Sequence, residues 1–164
     1  MQNFKKLDIK KLIYILVLFS ASITLILSLL SYSPRDNSFF QYDSSLIVND
    51  NLFGSFGAFL SDLLFRALGI STYLIPITLL IWAGKMFTER EYISWFSVAL
   101  FPIFIIFFCF FSSLWINVNF QILPYGNHGF IGRGLNEILQ FYYKDFYEPY
   151  ILIISGIICV ILMT

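Results

Sequence analysis

The chain predicts an all-α integral membrane fold of four transmembrane helices, with two short amphipathic helices on its outer, periplasmic face. Three observations carry this. Long apolar stretches run without a charge, lysines crowd the residues ahead of the first stretch, and 59% of the chain is hydrophobic against 12% charged, where soluble domains average about 25% charged. Ten basic and ten acidic residues cancel, so no overall field exists to recruit nucleic acid or an acidic partner.

Residues 1–11 form a basic tail with Lys5, Lys6, Lys10 and Lys11. The first span, 12–31, holds 20 uncharged residues, which at about 1.5 Å each match a hydrocarbon core of about 30 Å. It exceeds the roughly 7–15 residues of a signal-peptide core, and Ser-Tyr-Ser-Pro follows it in place of a small-x-small cleavage site, so it reads as a retained helix. An outer segment, 32–66, leads to the second span, 67–84; the link 85–91 (KMFTERE) carries Lys85 and Arg90. The third span is 92–116, a second outer segment is 117–148, and 149–164 begins a fourth span that stops after 16 residues, as a chain cut inside its last helix would.

The basic tail and link are predicted to be cytoplasmic by the positive-inside rule. The two outer segments spread only Arg35, Arg66, Arg133 and Lys144 over 67 residues. Topology accounts for the N-terminal lysines without nucleic acid.

Each outer segment contains the same device. Residues 54–64 read GSFGAFLSDLL, and 75 positions later residues 129–139 read GFIGRGLNEIL. Gly54, Gly57, Asp62 and Arg66 in the first, and Gly129, Gly132 and Glu137 in the second, make up an outer-face motif, and the chain reads as two parallel copies of span, loop, short helix, span. Over about 56–68, Phe56, Phe59, Leu60, Leu63, Leu64, Ala67 and Leu68 fall on one stripe, opposite Ser61, Asp62 and Arg66. Over about 131–146 the stripe is Ile131, Leu135, Ile138, Leu139, Tyr142 and Phe146. Both helices suit the membrane–water boundary, with Gly69 and Pro149 as turning points.

Few residues offer chemistry. Asp62 and Arg66 have the i, i+4 spacing of an ion pair, but a proton or ion path needs ionisable groups deeper in the spans, and the spans hold none. Pro76 and Pro102 are expected to kink spans two and three. His128 has no second ligand or nucleophile at useful spacing, Cys109 and Cys159 fall in apolar spans, and neither a GxGxxG turn nor a GxxxxGK[ST] loop occurs. No catalytic, cofactor or metal residues are assigned. Ser20, Thr24 and Ser28 repeat every fourth residue and make a small ridge suited to close helix packing, as do Ser155 and Gly156 in span four. The phenylalanines of span three surround their helix, while Trp82, Trp95 and Trp115 fall near span ends.

Two stretches resemble the N-terminal membrane region of the FtsK/SpoIIIE family of bacterial DNA translocases: LSLLSYSPRDNSFF and NLFGSFGAFLSDLLFRALGISTYLIP, with Ser31, Tyr32, Pro34, Asp36, Asn51, Gly54, Gly57, Asp62, Leu63, Leu64, Phe65, Gly69, Tyr73 and Pro76 at the matching positions. His128-Gly129 stands where that family often has paired glycines. The resemblance implies a bacterial inner-membrane cell-division protein whose cytoplasmic ATPase ring, with ATP and Mg, pumps DNA; linker and motor are not in these residues. The expected role is membrane anchoring and assembly, with the lipid bilayer, further copies of the chain and other cell-division membrane proteins as partners, and DNA only through the motor. The competing reading is a small transporter or channel subunit, which buried charges or interrupted helices at matching places would favour.

Overall fold

The computed structural model describes residues 9–42, 49–88, 92–115 and 123–142. Every regular element among them is helical: α1 (Ile9–Leu30), α2 (Gly54–Leu68), a 3₁₀ segment (Gly69–Tyr73), α3 (Leu74–Thr88), α4 (Trp95–Trp115) and α5 (Gly129–Tyr142). Three stretches among the described residues are long and apolar enough to cross a membrane: Ile9–Leu30, Gly54–Thr88 and Trp95–Ser113. The predicted fourth span lies outside the described residues.

Helix lengths show how the second stretch divides. α1 has 22 residues and α4 has 21, each about 32–33 Å at roughly 1.5 Å per residue. The whole of Gly54–Thr88 is far longer than a hydrocarbon core, but the 3₁₀ segment and α3 together, five and 15 residues, rise about 32 Å. α2 is thus surplus to the crossing. It ends where Gly69 adopts φ 57°, ψ −137° and returns its N–H to the Phe65 carbonyl, a conformation that stops an α-helix. The break therefore precedes Pro76. That proline is the third residue of α3, in the first turn, where a missing N–H costs no helical hydrogen bond, so the kink expected at Pro76 is displaced to Gly69. Pro102 does lie inside α4.

α3 runs back along α1. The Ser22 hydroxyl donates to the Pro76 carbonyl at 2.7 Å, and the Ser28 hydroxyl to the Gly57 carbonyl at 2.9 Å. At the other end of the pair, the Lys11 ammonium sits 4.9 Å from the Tyr92 ring centroid, and Tyr14 meets the same ring edge-on. α4 starts at this Lys11 end, touches α3 through Trp82 and Phe101, and carries α5 against its far half. Small and polar side chains fill the contacts: Ser22, Ala58, Ser61, Ser71, Thr72, Cys109 and Ser112 are buried, while Leu12, Leu16, Phe19, Ile77, Ile81, Phe96 and Ile103 face outward. That is the pattern of helices solvated by lipid, where close backbone approach drives association.

The hydroxyl ridge of α1 divides accordingly. Ser28 is buried at the α2 contact, but Ser20 is exposed and donates to its own helix at Val17, and Thr24 donates to the Ser20 carbonyl. Ser22, off the fourth-residue repeat, makes the bond to α3. Ser22→Ala is accordingly expected to cost about 0.6 kcal/mol, typical of an interhelical hydrogen bond in a membrane, and Ser20→Ala nothing measurable. Reversible unfolding in mixed micelles reads both; equal costs would place the ridge on the packing face.

Candidate functional site

The polar chemistry of the described residues gathers at the Leu30 end of the helices, in two junctions. The first ties α1, the following loop and α2 together. The Asp36 carboxylate accepts the backbone N–H of Asp50 at 2.8 Å and of Asn51 at 3.1 Å. Asn51 then reaches into the α1 terminus, donating through Nδ2 to the Ser28 carbonyl at 2.8 Å, while its Oδ1 accepts the Phe53 N–H at 3.1 Å. The Ser31 hydroxyl accepts the Leu52 N–H. Gly57 is pressed against Asn51, so a Cβ there would overlap Asn51 Oδ1. Further along α2, Asp62 is buried and its carboxylate is fully engaged: Arg66 Nε lies 2.9 Å from both oxygens, the Tyr32 hydroxyl donates at 3.2 Å and the Ser38 hydroxyl at 2.5 Å. The Arg66 guanidinium covers the Phe40 ring at 4.9 Å.

The second junction joins α2, α4 and α5. Gly69 and Gly129 meet backbone to backbone: a Cβ on Gly69 would fall 2.3 Å from the Asn127 carbonyl oxygen, and one on Gly129 would fall 2.5 Å from the Gly69 nitrogen. The Ile70 N–H donates to the Asn127 carbonyl at 2.8 Å. Gly132 sits against the Cys109 carbonyl, and Cys109 Sγ lies 3.5 Å from the Leu68 carbonyl. Cys109 thus packs as a small residue at a helix crossing. His128, half-buried beside this junction, has its pKa lowered from the ordinary 6.5, first by burial and then by the Arg133 charge, which favours the neutral imidazole.

The outer-face motif residues occupy these two junctions and the helix that each opens. Gly54 and Gly129 start α2 and α5 with φ 59° and 62°. Gly57 and Gly132, fourth in each helix, take the contact with the preceding long helix, at Ser28 and Cys109. Asp62 and Glu137 both accept from an arginine four residues away, at 2.9 Å. The pairs differ in setting, because Asp62 and Arg66 side chains are 6% and 20% exposed and Glu137 and Arg133 are 65% and 61% exposed. Ser155 and Gly156 lie outside the described residues.

Sequence reasoning missed Ser22, Ser38 and Asn127 as packing residues, and assigned no role to Tyr32 or Asn51 beyond their place in the matched pattern. Only Asn51 had a local signal, an Asx side chain just before a helix. Among the described residues no three His, Cys, Asp or Glu side chains come close enough to share a metal ion. Among the described residues the geometry holds helices in register and sets no nucleophile beside a base.

The family described as "4TM region of DNA translocase FtsK/SpoIIIE" matches residues 8–164. The chain is similar to the DNA translocase FtsK of Rickettsia prowazekii (strain Madrid E), 25% identical over 133 residues, 80% of this chain and 17% of that protein. It is similar to the same protein of Rickettsia typhi (strain ATCC VR-144 / Wilmington) at 25% over 133 residues, again 80% and 17%, and to that of Azospirillum brasilense at 33% over 61 residues, 37% of this chain and 10% of the relative. The chain thus spans about a sixth of the Rickettsia relatives' length. No solved structure matches.

Proposed function

We propose, on the premise that this chain belongs to the family of 4TM regions of DNA translocase FtsK/SpoIIIE, that it is the membrane-anchoring and assembly part of such a translocase. In this reading it tethers a C-terminal DNA-pumping ATPase to the division septum for chromosome segregation and cell division. ATP and Mg belong to that motor, DNA is met only through it, and these residues perform no reaction. The observation that carries the reading is the family match over residues 8–164, joined to three charge-poor helices of membrane length.

The arrangement in the bacterial inner membrane follows from where the charges lie. Lys5, Lys6, Lys10, Lys11, Lys85 and Arg90 fall in the 18 residues of the tail and link, whereas Arg35, Arg66, Arg133 and Lys144 are spread over the 67 residues of the two longer connecting segments. This supports a cytoplasmic N-terminus and a periplasmic Leu30 end. The paired geometry of Gly54–Gly57–Asp62 and Gly129–Gly132–Glu137 supports two parallel copies of one unit, with residues 149–164 as the fourth span. Self-association and contacts with other cell-division membrane proteins fall to the outward faces.

The break at Gly69–Tyr73 is an observation that favours a transporter, since discontinuous helices hold ions with unwound carbonyls. Most of its polar groups are instead turned to internal partners: the Gly69 N–H to the Phe65 carbonyl, the Ile70 N–H to the Asn127 carbonyl, the Thr72 hydroxyl to the Leu64 carbonyl at 2.8 Å, and the Ser71 and Thr72 carbonyls to the Leu74 N–H; the buried Ser71 hydroxyl has no hydrogen-bond partner among the described residues.

A fusion of a fluorescent protein that matures only in the cytoplasm to the N-terminus of this chain tests anchor, orientation and septal role together. A bright band at the division site is expected. Uniform membrane fluorescence would remove the septal role, and a dark fusion would reverse the orientation.

A further inference from the structure

α2 has apolar side chains on two sides. Gly57, Ala58, Ser61, Asp62 and Phe65 are buried against the chain, whereas Phe56 and Phe59 point away from it at 67% and 39% exposure. The loop before it adds to the same surface. Phe39, 79% exposed, meets the Phe59 ring edge-on at 6.3 Å and the Phe40 ring at 5.3 Å, and Leu52 and Phe53 are exposed where the chain enters the helix.

We propose that this aromatic face, built from Phe39, Phe40, Leu52, Phe53, Phe56 and Phe59, is seated in the phospholipid leaflet at the Leu30 end of the spans, making loop and helix together an in-plane membrane anchor. Two observations select lipid as the occupant. The first is length. The continuous run Gly54–Thr88 has 35 residues, roughly 20 Å more helix than a core of about 30 Å accommodates, and that excess is the helix whose Phe56 and Phe59 face out. Projected into water it would expose a patch of large aromatics with no compensating partner; laid along the leaflet it buries them where aromatic rings settle. The second is continuity. α2 touches α1 at the Ser28–Gly57 bond, next to Leu27 and Leu30, which α1 leaves exposed, so the aromatic face adjoins surface that the bilayer already wets.

The anchor goes beyond tethering a motor. It assigns the outer loop a lipid contact of its own and gives the Asp62 network a purpose, since Asp62 binds Arg66, Tyr32 and Ser38 while the Arg66 guanidinium lies over the Phe40 ring, which fixes α2 and the aromatic loop to each other. The test is photocrosslinking of the whole 164-residue chain in vesicles of phosphatidylethanolamine and phosphatidylglycerol, with p-benzoylphenylalanine replacing Phe40, Phe56 or Phe59 one at a time. These positions are exposed and the replacement is aromatic, so circular dichroism should show unchanged helix content. The expected product at each position is a chain heavier by the mass of one phospholipid. A chain-to-chain crosslink would assign the face to a second copy, and no adduct would assign it to water; either overturns the proposal.

Discussion

Alanine at Gly69 or at Gly129 is expected to separate the two halves of the chain, with the largest loss of stability of any single methyl addition to the described residues. Each glycine has a positive φ, 57° and 62°, which a side chain resists by roughly 1–2 kcal/mol. Each also faces backbone, at 2.3–2.7 Å from where a Cβ would stand. Backbone cannot rotate away as a side-chain tip can, so the overlap adds an overpacking cost of about 1–3 kcal/mol. Together these are roughly 2–5 kcal/mol, a large fraction of the 5–15 that holds a domain folded. Gly134, with nothing near its missing side chain, is the control, and alanine in its open helical position should be neutral or stabilising by about 1 kcal/mol. Limited proteolysis in micelles, read together with thermal unfolding, separates the cases: the junction variants should be cleaved early between α3 and α5, and the control should resist like the parent. Equal resistance in all three would mean that Gly69 and Gly129 do not meet.

That contact shows what local reading can reach. The spans were legible because lipid demands an uncharged run of fixed length, a property each segment declares alone; α1 and α4 needed no knowledge of their neighbours. The Asp62–Arg66 pair was legible for the same reason, being a matter of spacing on one helix. The meeting of Gly69 with Gly129 is not local. It depends on how α2 and α5 converge across a gap of 60 residues, and no periodicity in either helix encodes it. The α1 ridge divides for a related reason. Ser20, Thr24 and Ser28 share a repeat, but the direction from which α3 approaches selects Ser22 and Ser28, and hydroxyls left outside satisfy themselves on their own helix. The repeat in α2 sets Phe56 and Phe59 on one stripe, but no spacing tells which side meets the chain. The side that does carries Ser61 and Asp62, which find hydrogen-bonding partners there, together with Ala58 and Phe65.

Those partners make Asp62→Ala the second large expected effect. Its carboxylate joins one arginine and two hydroxyls, and its removal leaves Arg66, only 20% exposed, as a charge without its counterion. Breaking a buried pair from one side costs about 3–5 kcal/mol, while removing both members together is close to neutral. The double variant Asp62→Ala/Arg66→Leu should therefore recover most of what Asp62→Ala loses. Glu137→Ala, which breaks the exposed pair on α5, should cost only about 0.3–0.5 kcal/mol. Tyr32 supplies a second readout. Burial, and then the adjacent Asp62 charge, raise its pKa well above the ordinary value of 10. A folded-state value above the unfolded one means that the stabilisation is complete below pH 10 and drains away as pH rises through the folded-state ionisation. In an alkaline titration followed by tyrosinate absorbance, Tyr32 should ionise later in the parent chain than in Asp62→Ala, because in the variant burial remains while the charge and the hydrogen bond are gone. An unchanged Tyr32 titration, or an Asp62→Ala cost no greater than that of Glu137→Ala, would show that the α2 network does not hold this end of the bundle together.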